Sequence, residues 1–133
     1  MTEKYMKLCL AYALLPGFQS NYFFDGAGRH ERDRDLWRKY MPLICRLSEA
    51  GWRPVNRLAS ATGAGLVCEQ FGENLLTVYN HGKTTATAEL AFRSDVELAT
   101  DLVSGAVIPV SNGRASVVLA PNEVMALELD LQP

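Results

Sequence analysis

Four carboxylates crowd one short stretch, "DGAGRHERDRD", where Asp25, Glu31, Asp33 and Asp35 stand within a few residues of one another. Paired carboxyl groups can do general acid and base work when their surroundings push their proton affinities apart. Here Arg29, Arg32 and Arg34 alternate with them, and neighbouring cations hold carboxylates ionised. The pattern therefore predicts a salt-bridged helix start rather than a general acid. Asp25 differs by position, because it follows Tyr22, Phe23 and Phe24 in the aromatic, turn-rich segment "GFQSNYFFDGAG". Tyr22, Phe23, Phe24 and Asp25 are the candidate substrate-binding residues: rings that can stack on a ligand, with a carboxylate at their edge.

The remaining reactive side chains lack the partners that chemistry requires. His30 and His81 are far apart and have no Cys or acidic residue at metal-ligand spacing. Ser104, Ser111 and Ser116 lack the Gly-x-Ser-x-Gly setting that exposes an activated hydroxyl. Gly63-Ala64-Gly65 falls between strands rather than before a helix, so no phosphate cradle is expected. Cys9, Cys45 and Cys68 are odd in number and widely spaced, which predicts buried free thiols. No catalytic residue, metal or cofactor is expected. Trp37 and Trp52 are expected to seal a helical layer against sheets, although exposed rings of this kind can also stack on ligands.

These residues must be positioned by 133 amino acids, of which 48% are hydrophobic, enough for one ordinary domain or two small packed layers. Thirteen basic and fifteen acidic residues leave a formal charge of −2, so no large field exists to hold nucleic acid or an anionic membrane. Glu3, Lys4 and Lys7 interrupt the apolar N-terminal stretch, so no signal peptide is expected and a cytoplasmic setting is favoured over a secreted one. No window approaches the length of a membrane-spanning helix, and the expectation is a soluble protein.

Apolar residues at helical spacing predict a helix from Glu3 to Leu15, with Thr2 as N-cap and Pro16-Gly17 as the stop. A second helix is expected from about Glu31 to Ala50, where Leu36, Tyr40, Leu43, Ile44 and Leu47 form a stripe. Pro42 within it predicts a kink or two shorter helices. After Trp52-Arg53-Pro54 the period changes to two. Strands are expected at Val55–Ser60, Gly65–Phe71, Leu75–Asn80, Thr84–Phe92, Glu97–Leu102, Val107–Val110, Arg114–Leu119 and Glu123–Leu131. Turn chemistry separates them, most clearly at Asn112-Gly113. The fold class is thus α+β: two N-terminal helices followed by an antiparallel β-sandwich of about seven or eight strands. Leu76, Val78, Val117, Leu119, Leu127 and Leu129 are its expected inward residues.

The succession "TVYNHG", "AELAF", "DLVSG" and "GRASVVLAPNEVMALEL" resembles the small C-terminal β-sandwich that follows the catalytic barrel in many glycoside hydrolases, including α-amylase-like and related families. "AYALLPGFQSNYFF" and "RDRDLWRKYMPLICRLSEAGWRPV" look like the closing segment of such a barrel. The resemblance implies a division into a helical segment, 1–54, similar to a barrel's end, and a sandwich, 55–133. It covers the part of those enzymes that performs no chemistry. A full barrel needs roughly 200 residues or more, and its two carboxyl groups come from upstream strand ends.

The resemblance therefore implies a non-catalytic accessory module that stabilises a barrel or subunit interface, carried either by a piece of a larger enzyme or by a short protein derived from one. Its expected partners are the missing barrel, another subunit or a second copy in a homo-oligomer. A stand-alone carbohydrate-binding module is the alternative, and a small hydrolase using Asp25 or Glu31 is a third reading.

Overall fold

The computed structural model describes residues 2–16, 27–93 and 95–131, and side chains within the second helix from residue 33 onward. Helix α1 (Glu3–Tyr12) and helix α2 (Ala27–Ala50) precede nine strands: β1 (Trp52–Arg53), β2 (Ala59–Thr62), β3 (Leu66–Phe71), β4 (Leu75–Asn80), β5 (Ala86–Phe92), β6 (Val96–Asp101), β7 (Val107–Pro109), β8 (Arg114–Leu119) and β9 (Val124–Leu131). The expected α+β class, helices first and antiparallel sheets after, is the observed one.

Thr2 caps α1 by accepting the Tyr5 N–H at 3.2 Å, which satisfies one of the amides a helix start leaves unpaired. The helix ends earlier than Pro16-Gly17. Ala13 turns into the left-handed region (φ 52°) and the Leu14 N–H closes onto the Cys9 carbonyl at 2.9 Å. Helix α2 continues through Pro42 as one element. An interior proline costs about 3 kcal/mol, and the buried stripe of Tyr40, Ile44 and Leu47 offsets that loss.

The strands form a six-stranded sheet in the order β1-β3-β4-β9-β6-β7 and a three-stranded sheet, β2-β5-β8, with every pairing antiparallel. Where one strand was expected at Val55–Ser60, two short ones stand on either side of a turn. Pro54 ends β1, and the Asn56 Oδ1 then accepts the N–H groups of Leu58 and Ala59, bending the chain into the second sheet.

One core lies between the sheets. All six expected inward residues, Leu76, Val78, Val117, Leu119, Leu127 and Leu129, belong to it, together with Ala88 and Leu90. A second core covers the other face of the large sheet, where Met6, Leu10, Tyr40, Ile44 and Leu47 of the helices meet Phe71, Leu75, Tyr79, Val124 and Ala126. The molecule therefore has three layers: helices, large sheet, small sheet. Strand β4 is buried along its whole length because helices cover one face and β-strands the other. Strand β5, in the outer layer, alternates: Ala88 and Leu90 are buried while Thr87 and Glu89 are exposed.

Candidate functional site

The two helices do not cover the whole of the large sheet. Glu3, at the start of α1, accepts a hydrogen bond from Tyr40 of α2 at 2.6 Å. Further along, Tyr12 and Leu14 stand across one groove from Ser48, so the helices run side by side in the same sense. Both C-termini therefore border that groove. It has a volume of about 520 Å³ and is lined by Tyr12, Ala13, Leu14, Ser48, Trp52, Glu69 and Phe71.

Each wall follows from local sequence. Along β3 the alternation of the pleat sends Glu69 and Phe71 to the helix-facing side, and Trp52 of β1 pairs with Phe71. Pro54 limits β1 to two residues at the sheet edge, where proline is tolerated, so among the described residues no further strand pairs with β1 beyond Trp52 and Arg53. The indole is 55% exposed and its Nε1–H donates to the Glu69 carboxylate at 2.9 Å. This corrects the expectation that Trp52 seals the core.

Tyr12 is tied down from the other side. Its hydroxyl is hydrogen-bonded to His81 Nε2 at 2.7 Å, and His81 stands edge-on to the Tyr79 ring, with centroids 4.6 Å apart. The Thr77 hydroxyl donates to the Ala11 carbonyl at 2.6 Å, pinning the last turn of α1 to the sheet. Burial first, and the nearby Glu69 charge second, push the Tyr12 hydroxyl above the ordinary tyrosine range. The groove thus sets one carboxylate, Glu69, among largely apolar and aromatic walls. Neither helix carries a basic residue in its last turn, and the N–H groups of Ala13, Leu14 and Gly51 and the Thr77 hydroxyl take up carbonyls there instead.

Tyr22, Phe23, Phe24 and Asp25 lie outside the described residues, as does the side chain of Glu31. Asp33 is buried, with 6% of its surface exposed, while Asp35 is exposed. Many of the other carboxylates hold structure: Glu73 pairs with Arg53, Glu123 with Lys7 and Glu128 with Arg46. Two of the serines do likewise, Ser104 donating to Asp101 at 2.8 Å and Ser116 to Glu89 at 2.5 Å. Of the thiols expected to be buried, Cys9 is buried, Cys68 half-buried and Cys45 exposed on α2. Sequence reasoning missed Trp52, Glu69, Tyr12 and His81 as a group. The one signal available was the proline two residues after Trp52, which marks an edge position.

No family model matches the chain, and no curated protein matches it. Among solved structures it is similar to an apo exo-carrageenase GH42 from Bacteroides ovatus, at 18% identity over 74% of this chain, with a TM-score of 0.44. The chain spans 14% of that protein's length.

Proposed function

We propose that the chain is a non-catalytic accessory module related to the C-terminal sandwiches of glycoside hydrolases, seated against a larger enzyme body or a second subunit. On this reading residues 1–54 are the end of a barrel and 55–133 the sandwich that braces it. The observation that carries it is the corner where the helical layer stops. Leu14, Leu15 and Trp52 stand 58%, 68% and 55% exposed there, beside a groove with apolar walls. Apolar side chains gathered at one place on a surface mark an interaction site. At about 25 cal/mol per Å² of apolar surface, covering several such side chains yields an amount comparable to a sizeable part of a domain's stability.

The motifs that carry the family resemblance support the same reading, since their polar residues serve the fold. Asn80 of "TVYNHG" and Asp101 of "DLVSG" are both buried, and both are spent on hydrogen bonds to the backbone.

Light scattering over a wide concentration range tests the proposal. The isolated chain should associate with itself through the uncovered corner, and replacing Leu14 and Leu15 together by serine should return it to a monomer. A wild-type chain that stays monomeric from micromolar to millimolar concentration would remove the support for a missing partner. A saturable response to saccharides in that monomer would instead favour the stand-alone carbohydrate-binding module.

A further inference from the structure

We propose that the groove lined by Trp52 and Glu69 receives an arginine side chain presented by the partner protein that covers this corner. The inference rests on the accessory reading and names the chemistry of its contact. Three features of the groove converge on a flat cation. Trp52 is 55% exposed, and guanidinium groups stack on indole rings more readily than ammonium groups do. Glu69 is held beside it by the indole N–H, and among the described residues no cation pairs with its carboxylate. Two helix C-termini border the same space without a basic residue in either last turn.

Geometry separates arginine from the other cations. The Glu69 carboxylate takes N–H donors, as the indole already shows. A quaternary ammonium has no N–H to give it. A lysine ammonium has donors but no plane to lay on the indole. The guanidinium supplies both, and its fork also matches a carboxylate. Tryptophan and arginine are, moreover, the residues that most often anchor protein interfaces. A neutral polyol could stack on Trp52, but it would leave the negative charge of Glu69 unanswered.

The test uses the full chain and N-acetyl-arginine methylamide as probe, followed through the indole N–H resonances, with Trp52 assigned by Trp52→Phe. The Trp52 signal should shift saturably, with millimolar affinity, and the isosteric but neutral citrulline probe should leave it unmoved. Adding about 0.5 M salt should weaken the arginine response, because an exposed charge pair is screened. Glu69→Gln should weaken it roughly fivefold or more, while the other resonances keep their places. The comparison of arginine with citrulline needs no variant, so a misfolded mutant cannot obscure it. Equal responses to the two probes, or a preferential response to a methyl glycoside, would overturn the proposal. An unmoved indole in a chain that still self-associates would overturn the arginine contact alone and leave the accessory reading standing.

Discussion

Asn80 on the large sheet reaches across to Leu119 on the small one, its Nδ2 donating to the Leu119 carbonyl at 2.9 Å. The same amide nitrogen also donates to the Thr84 carbonyl at 3.0 Å, and its Oδ1 accepts the Gly82 N–H at 2.8 Å. The side chain is fully buried. One residue therefore fastens the two sheets together and shapes the turn that carries the chain from one to the other. Replacing it by alanine leaves two carbonyls and an amide without partners at the end of a core strand. Each such buried group costs about 1–3 kcal/mol, and some will be recovered by water. Asn80→Ala should lose about 3 kcal/mol in chemical denaturation, and Asn80→Asp should lose stability as well because it removes the two donors. A loss below about 0.5 kcal/mol would show that the sheets are held by apolar packing alone.

The neighbouring corner works by the same means. Asp101, with 4% of its surface exposed, accepts from the N–H groups of Val103 (3.1 Å) and Ala126 (3.2 Å) and from the Ser104 hydroxyl (2.8 Å). Gly105 follows at φ 80°, a conformation that costs a side-chain-bearing residue strain. Asp101→Ala should cost about 2–3 kcal/mol, and Ser104→Ala, which removes one of the three donors, about 1 kcal/mol. The double variant should cost less than the sum, because the hydroxyl and carboxylate serve each other. Strict additivity in urea melts would count against the shared network.

Strand β8 was legible to the residue because its period of two is bounded on each side by turn chemistry, strand β4 because turn residues bound an apolar run, and the start of helix α1 because Thr2 and its apolar stripe agree. The third layer was less legible. Leu75, Thr77 and Tyr79 were not expected among the inward residues, yet they are buried, because the helices fold back onto that face. No local pattern announces such a return. The groove was less legible still. Trp52 has the composition of a core residue, and its exposure depends on where α1 stops, which Ala13 decides by adopting a left-handed conformation unusual for alanine. Tyr12, Glu69 and His81 come together only once β3, β4 and α1 are in place.

The helical pair has an acid-sensitive tie. Tyr40 donates to Glu3 at 2.6 Å, and this hydrogen bond, the largest influence, holds the Glu3 carboxyl below its ordinary value despite partial desolvation. A depressed carboxyl contributes stability that is present above its unfolded value and lost as pH falls through the folded one. Tyr40→Phe should cost about 1 kcal/mol at neutral pH, a figure reduced by the exposure of Glu3 to solvent. Below the folded value the difference between wild type and variant should shrink. Melts at neutral pH and at stepwise lower pH measure both. A variant penalty that stays constant across that range would place the Tyr40 contribution in packing rather than in the charged hydrogen bond.

The thiols should respond to alkylation in an order set by their surroundings. Burial, chiefly, raises Cys68 from an ordinary 9.0 to about 11, against a smaller opposing effect from the Asn56 amide. Burial also raises Cys9, while Cys45 is exposed on α2. Only the thiolate attacks an alkylating agent, so near pH 8 Cys45 should be modified first, half-buried Cys68 slowly because little of it is thiolate there, and buried Cys9 only at the rate of local opening. Site-resolved mass spectrometry after iodoacetamide treatment distinguishes the three. The same burial has a consequence for stability. Between about pH 9 and pH 11 the unfolded thiol gives up its proton while the folded Cys68 keeps it, so the unfolded state binds fewer protons and stability falls as pH rises. Cys68→Ala should flatten that fall within the same window. If the variant and wild type lose stability in parallel there, Cys68 is not the group that titrates.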